Sequence, residues 1–385
     1  MVASRAWSDE DRRWMRRALA LAWRAQGRVA PNPAVGAVLV REGEVVGEGA
    51  TRPPGGSHAE IVALQQAGER ARGATLYVTL EPCAHYGRTP PCVEALVAAG
   101  VRRVVVALLD PYPEVCGRGL ARLRDAGIEV EVGLEADAAA LVNAGYLKRL
   151  STGLPEVTAK YAMTLDGRIA TRSGHSRWIT GELARREAHR LRDQHDAVLV
   201  GVGTVLADDP LLTVRLPPEE AGEGGPHHPL RVVVDSRART PATAAMLHPD
   251  TPGRTLIACT ASAPAERLAA LEAAGAEVLI LPGSEGGVDL VALLRALGER
   301  GVNRVLVEGG GRLLGRLFDL GLVDQVVAFI APVLVGGCQA PGPVGGRGVA
   351  TMDQAWRLQG VELCRLGPDV MVAGRLTVPP VSEVA

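Results

Sequence analysis

An alternation constrains this chain more than any other feature. Short apolar runs of strand length are separated by stretches of helical periodicity, in two series with one break between them. In the first series "ATLYVTL", "VRRVVVALL" and "IEVEVG" read as strands, and "PPCVEALVAAG" and "GLARLRDAG" between them read as helices. Such units lay parallel strands side by side with helices packed on the sheet. Ahead of them, "AVGAVLVREGEVVGEGA" (34–50) holds two apolar runs around Glu42-Gly43, which predicts a hairpin. Residues 9–25 form an amphipathic helix with Trp14, Leu19, Leu21, Ala22 and Trp23 in its apolar set and Ser8 as N-cap. "HAEIVALQQAGERARG" is a helix closed by Gly73, and "PPCVEALVAAG" starts on proline and stops at Gly100.

Residues 136–150 are helical, and "STGLPEV" (151–157) reads as a linker. The second series then begins. "VTAKYAM", "AVLVG", "RVVVDS", "RTLIAC", "EVLIL" and "NRVLVEGG" are strands, "ELARREAHRLRDQ" is a helix, and "VDQVVAFIAPVLV" and "DVMVAGRLTV" are long strands. With 385 residues, this predicts two domains, 1–150 and 151–385, both α/β. Two Gly/Pro-rich stretches, "PPEEAGEGGPHHP" and "GGCQAPGPVGGRG", read as surface insertions.

The net charge of -1 leaves no electrostatic footprint for nucleic acid or an anionic membrane. No apolar run approaches the ~18 residues of a membrane span, and the N-terminus lacks the apolar core of a signal peptide. The six cysteines form no dense framework, so the expected compartment is a reducing cytoplasm. Basic residues are nearly all arginine. Only Lys148 and Lys160 are lysines, which singles out both positions.

"GSHAEIVAL" puts His58 and Glu60 in the first turn of a helix, Cys83 follows a strand and its proline, and Cys92 opens the next helix. A strand end and two helix starts can converge at one edge of a sheet. One imidazole and two thiolates leave a tetrahedral zinc an open position for water, which the ion acidifies. Glu60, two residues from the imidazole, is placed to move a proton without ligating. H-x-E followed by P-C is the signature of the zinc deaminases, although their second thiol usually comes three residues after the first, as C-x-x-C. Here eight residues separate Cys83 from Cys92. The bland alternative is two reduced cysteines and a capping histidine.

The run "HAE…TLEPCAHYGRTPPC", with "PNPAVGAVLV" and "GRGLARLRDAGIEV", resembles the deaminase half of the bifunctional riboflavin-biosynthesis deaminase/reductase family, which spaces its zinc cysteines in this way. The resemblance implies an N-terminal cytidine-deaminase-like three-layer domain, with zinc on His58, Cys83 and Cys92 and Glu60 as proton donor. It implies a substrate in which a pyrimidine is joined through nitrogen to ribose 5-phosphate. Asn32 then serves the pyrimidine or ribose, and His85 and Arg88 the phosphate end. The chain departs from the family pattern at Tyr112, where asparagine is usual, at Ala30, where histidine is usual, and at Cys116, where a small residue is usual.

"AKYAMTLDGRIATRSGHSRWIT", "GVGTVLADDPLLTVR" and "VLVEGGGRLLGRLF" resemble the family's reductase half, which implies a C-terminal dihydrofolate-reductase-like α/β domain using NADPH. Glycines between a strand and a helix also admit a pyrophosphate on physical grounds. No G-x-G-x-x-G is present, which argues against a standard dinucleotide fold. By the resemblance the cofactor meets Ala162, Trp178, Thr204, Asp208, Ser236, Gly310, Gly311 and Arg312. Substrate meets Ser176, Arg192, Leu212, Arg215 and Glu308, with Lys160 and Asp208 at the reacting end. The whole reads as a fused enzyme using zinc and NADPH on a small pyrimidine ribosyl phosphate, with long C-terminal strands that predict a homo-oligomer through the second domain. Two rivals stand at this point. One is a nucleoside or tRNA deaminase with an appended nucleotide-binding domain. The other is a non-catalytic nucleotide binder with a structural zinc.

Overall fold

The computed structural model describes residues 7–86, 90–221 and 224–377. The chain divides into two compact units, one ending at Gly153 and the other starting at Leu154. In the first unit α1 (Asp9–Ala25) starts on Ser8, whose hydroxyl accepts the Asp11 backbone N–H while the Asp11 carboxylate accepts from the Ser8 backbone. This is a capping box made with aspartate. Strands β1 (Gly36–Arg41) and β2 (Glu44–Ala50) form the expected hairpin, turning at Glu42 and Gly43 with both φ positive.

There follow α2 (Ala59–Ala67), β3 (Thr75–Leu80), α3 (Cys92–Ala98), β4 (Arg103–Leu108), α4 (Arg118–Asp125), β5 (Glu129–Val132), α5 (Ala136–Val142) and α6 (Ala144–Thr152). The sheet order is β2-β1-β3-β4-β5, antiparallel around β1 and parallel from β3 onward. One apolar cluster packs α2, α3 and α4 on one face of the sheet; another packs α1 and α5 on the other, which gives three layers. Two expectations change in detail. The second helix gives way to a 3-10 turn at Gly68 before reaching Gly73. The 136–150 helix is two helices broken at Asn143, whose side chain leaves the helical path to bond both backbone groups of Ala34.

The second unit contains β6 (Glu156–Thr164), α7 (Glu182–Asp193), β7 (Ala197–Gly201), α8 (Val202–Asp208), β8 (Leu230–Val234), β9 (Thr255–Thr260), α9 (Ala265–Ala273) and β10 (Glu277–Leu281). A two-residue ladder, β11 (Gly283–Ser284) with β12 (Gly287–Val288), precedes α10 (Leu290–Glu299), β13 (Arg304–Val307), α11 (Gly311–Asp319) and β14 (Gln325–Ala331). The long hairpin of β15 (Arg357–Leu366) and β16 (Asp369–Thr377) closes the unit.

The nine-stranded order is β10-β9-β8-β7-β13-β6-β14-β16-β15. It is parallel from β10 through β14, and β16 and β15 are added antiparallel. Its central strands are buried on both faces, as a covered parallel sheet requires. The "GGCQAPGPVGGRG" stretch is more than an insertion. A Cβ on Gly315 of α11 would lie 2.2 Å from the Gly345 carbonyl carbon, so the loop sits directly on that helix.

Candidate functional site

His58 occupies the N-cap of α2, yet its side chain caps nothing. Its Nδ1 lies 3.5 Å from Cys83 Sγ and 3.2 Å from Cys92 Sγ. Cys83 stands just past β3, and Cys92 is the first residue of α3, where its backbone N–H donates to the Cys83 sulfur at 3.3 Å. All three donor atoms lie within 4.8 Å of one another. Bonds of about 2.0–2.3 Å to a tetrahedral zinc place such donors ~3.5–3.8 Å apart, so the set fits the ion. The hydrogen bond from Cys92, helped by His58, pulls the Cys83 thiol down to about 4, while the same contact and burial push Cys92 up. Glu60 is 3% exposed. Burial, and then the charge of Cys83, raise its carboxyl to about 7.

The approach of these segments depends on α4. Glu81, buried at the end of β3, accepts the backbone N–H groups of Gly117 and Gly119, each at 3.0 Å. A Cβ on Gly119 would sit 2.1 Å from the Pro82 carbonyl oxygen, so only glycine lets this helix start against the cysteine-bearing turn.

These groups open on a cavity of about 430 Å³ that Asn32, His58, Glu60, Cys83 and His85 line, as the sequence reading grouped them. Arg88 lies outside the described residues. Asp110 and Tyr112, where the family resemblance placed substrate contacts that the departure at Tyr112 put in question, also line it, and so do two residues that the sequence did not announce, Tyr146 and Arg149. Tyr112 departs from the family pattern, yet what it gives Asp110 is its backbone N–H at 2.9 Å, which almost any residue supplies. Cys116 is exposed and no part of the three-donor cluster.

In the second unit Lys160 of β6 and Glu308, just past β13, meet across neighbouring strands, with Nζ 3.2 Å from Oε2. Arg192 of α7 adds Nη2 to Oε2 at 2.9 Å and a second, very short contact from Nε to Oε1. Its Nη1 donates to the Thr213 carbonyl at 3.1 Å. Burial alone would raise the Glu308 carboxyl, but Arg192 and then Lys160 outweigh it and hold it far below the ordinary carboxylate range. Arg192 is therefore occupied by Glu308, while the guanidinium of the exposed Arg215 reaches, among the described residues, only Thr213 Oγ1 at 3.2 Å.

The expected substrate loop carries two non-glycine residues in the left-handed region, Asp209 (φ 41) and the buried Leu212 (φ 53). For leucine that conformation costs roughly 1–2 kcal/mol, and such strain concentrates at functional sites. His189 stands against Arg192 and Arg215 and was not anticipated, because it reads as one more polar residue of an arginine-rich helix; burial and the two arginines depress it to about 4.

The remaining expected residues are distributed around the same strand ends. Ala162 lies on β6, half-buried; Thr204 lies on α8, and Asp208 ends that helix with its carbonyl taken by Arg177. Among the described residues no hydrogen bond or ion pair joins the Asp208 side chain to the Lys160 cluster. Ser236 Oγ accepts the Val288 backbone N–H at 3.1 Å. Trp178 is 72% exposed, with the Arg185 guanidinium 4.7 Å from its ring centre, and is no core residue. Ser176 is half-buried in the same loop, and Arg312 is exposed on α11. Around Gly310 there is open space, whereas Gly311 is needed for packing, since its Cβ would meet the Gly342 carbonyl at 2.7 Å.

The family profile described as the RibD C-terminal domain matches residues 155–372, more than half of the chain. The chain belongs to the RibD family. A second profile, the cytidine and deoxycytidylate deaminase zinc-binding region, matches residues 8–108. The riboflavin biosynthesis protein RibD of Escherichia coli (strain K12) is 43% identical over 371 residues, covering 94% of this chain and 98% of that protein. The protein of that name from Aquifex aeolicus (strain VF5) is 41% identical over 362 residues, with 94% and 97% covered.

Among solved structures, Acinetobacter baumannii RibD, form 1, superimposes with a TM-score of 0.84 at 40% identity, covering 96% of this chain and 99% of that one. The Thermotoga maritima diaminohydroxyphosphoribosylaminopyrimidine deaminase/5-amino-6-(5-phosphoribosylamino)uracil reductase gives 0.81 at 32% identity, with 96% and 99% covered. The fold is thus a cytidine-deaminase-like domain followed by a RibD reductase domain. The chain is a bifunctional deaminase and reductase of riboflavin biosynthesis, with zinc for the first activity and a reductase domain of an NADPH-using family for the second. Among the described residues no helix is long and apolar enough to cross a membrane.

Proposed function

We propose that the first unit hydrolyses the exocyclic amine of 2,5-diamino-6-ribosylamino-4(3H)-pyrimidinone 5′-phosphate. The second unit then reduces the ribosyl group of the product with NADPH, giving 5-amino-6-ribitylaminouracil 5′-phosphate. The observation that carries this reading is the His58, Cys83 and Cys92 cluster with buried Glu60 beside it, where His58, Glu60 and Cys83 line a cavity of about 430 Å³. Zinc, when bound, supplies an activated water at neutral pH. With zinc held by His58, Cys83 and Cys92, Glu60 would carry one proton from the water to the leaving nitrogen, so that the water oxygen would join the ring carbon as ammonia departs. His85, Asn32 and Arg88 hold the ribosyl phosphate.

In the second unit the cofactor lies at the open end of β13 and α11, where Gly310 leaves room for a phosphate, with Ala162, Trp178, Thr204, Ser236, Gly311 and Arg312 around it. Arg215 meets the substrate phosphate, with Arg192 braced on Glu308 behind it, and Ser176 and Leu212 flank the substrate. The cofactor would supply a hydride to ribose C1′, and Lys160 or Asp208 would steer the proton to the ring oxygen as the ring opens. We place the enzyme in the cytoplasm. We assign subunit pairing to β15, an edge strand exposed along most of its length, with Val361 and Leu363 uncovered. A Leu363→Lys variant that keeps the mass in solution of the wild type refutes that pairing.

One experiment tests the catalytic reading. The purified chain with zinc is given the pyrimidine phosphate; ammonia release is followed, then NADPH is added and its absorbance recorded. Ammonia followed by NADPH loss is expected. Ammonia without NADPH loss removes the second half of the proposal, and ammonia from cytidine alone removes the first.

A further inference from the structure

The wall formed by Asp110 and Tyr146 has no role in the chemistry just described. Asp110 stands two residues past β4, and Tyr146 comes from α6, far along the chain. Both are buried, at 5% and 7% exposure, and both line the cavity shared by His58, Glu60 and Cys83. The Tyr146 hydroxyl donates to Asp110, 3.1 Å from Oδ1 and 3.4 Å from Oδ2. A phenol has one proton, so the nearer oxygen takes most of it. Oδ1 also receives the Tyr112 backbone N–H at 2.9 Å. Oδ1 thus has two donors, while Oδ2 has only the longer share of one. An ionised carboxylate presents about four lone-pair sites, and a buried one left short of donors is costly.

A second atom in the same cavity is also short of a partner. His85 Nδ1 is buried and has none among the described residues. Its ring stands 6.0 Å from that of Tyr112, whose backbone holds Asp110. The cavity thus presents an acceptor with spare capacity and an unengaged ring nitrogen, both of which a ligand rich in N–H and O–H groups satisfies. Helix α6 braces the opening twice, through Tyr146 on Asp110 and through Arg149, which donates to the Pro31 carbonyl at 2.8 Å beside Asn32.

We propose that Tyr146 is a positioning residue of the deaminase: its phenol fixes the Asp110 carboxylate so that Oδ2 accepts an N–H of the aminopyrimidine. This rests on the substrate reading above, in which Asp110 lies among the substrate contacts, and adds to it the group that fixes that carboxylate. Because Tyr146 touches Asp110 and not the reacting atoms, its loss weakens binding and leaves the chemical step intact.

The test is a double-mutant cycle on ammonia release by the zinc-loaded full chain, with Tyr146→Phe, Asp110→Asn and both together. Losing one hydrogen bond to a charged group raises KM about tenfold, with kcat within about twofold of wild type. Asp110→Asn raises KM further, and Tyr146→Phe adds nothing to it. Zinc content, and NADPH oxidation on the deaminated product, stay at wild-type values in all three. An unchanged KM in Tyr146→Phe overturns the proposal even if thermal stability drops, since the phenol is then only a fold contact. A full tenfold effect of Tyr146→Phe on top of Asp110→Asn also overturns it, because the two then act independently. If the wild-type chain releases ammonia only from another aminopyrimidine, the named substrate falls, and the same cycle on that compound decides the role of Tyr146.

Discussion

The two sites use charge in opposite ways. In the first unit the reactive groups gather on short neighbouring segments: an N-cap, a strand exit and the first residue of a helix. Their charges are left unbalanced, with two sulfurs, an imidazole and a carboxyl raised to about 7 in one place. In the second unit Lys160, Glu308 and Arg192 come from three separate elements, and the one carboxylate is ion-paired to both cations, which leaves one positive charge over. An unbalanced cluster is built to take a metal ion. The ion-paired one keeps a net positive charge, a rigid floor suited to a ligand that brings its own phosphates. Removing a group from the first should therefore cost function, while removing one from the second should cost the fold as well.

The sharpest break of that contrast is Glu60→Gln. Ammonia release should fall by about 10²–10⁴-fold, while zinc content and NADPH oxidation stay at wild-type levels. Deamination at the normal rate would make the cluster structural. Next is Glu308→Gln, which leaves Lys160 and Arg192 buried without a counter-charge. It should destabilise the second unit by about 3–5 kcal/mol, seen as faster thermal inactivation of NADPH oxidation with ammonia release as the unaffected control. Equal inactivation of both activities would deny that the pair belongs to the second unit alone.

A pH series sharpens the same point. His195 is fully buried, with Nδ1 2.6 Å from the Leu191 carbonyl and Nε2 3.1 Å from Thr158 Oγ1. Burial, then Arg304, depress it from 6.5 to about 3. Between those values the unfolded chain binds the proton and the folded one does not, so stability is full above about 6.5 and falls as pH drops towards 3. The slope from this group is at most about 1.4 kcal/mol per pH unit. His195→Gln should flatten that slope in urea unfolding; an unchanged slope would assign the acid sensitivity elsewhere. The smallest effect is Ser8→Ala, which removes one side of the capping box and should cost the first unit about 1 kcal/mol. Calorimetry should show only its transition move.

Local pattern carried much of the molecule. The hairpin at Glu42-Gly43, the cap at Ser8 and the strand–helix series are short-range features, written in periodicity and turn chemistry. The zinc donors were legible for the same reason, since each sits at an element boundary that the sequence marks. What pattern missed had no local mark. Strand β15 was not anticipated, because it is exposed on both faces and shows no alternation for the eye to follow. Tyr146 and Arg149 sit on a helix that reads as polar surface, and His189 was lost among arginines.

The residue types and spacings alone thus determined which chemistry the chain supports: three soft and borderline donors, with a carboxylate two residues past the imidazole, and Lys160, one of two lysines, with a glycine-rich turn far along the same half. Only the tertiary structure decided which groups are free to use. It occupied Arg192 with Glu308 and left Arg215 open, needed Gly311 for packing and left Gly310 clear, and aimed a distant phenol at Asp110. The reason is physical. A side chain's type is fixed by its code, but its partners, its burial and hence its charge state are set by neighbours that can lie a hundred residues away.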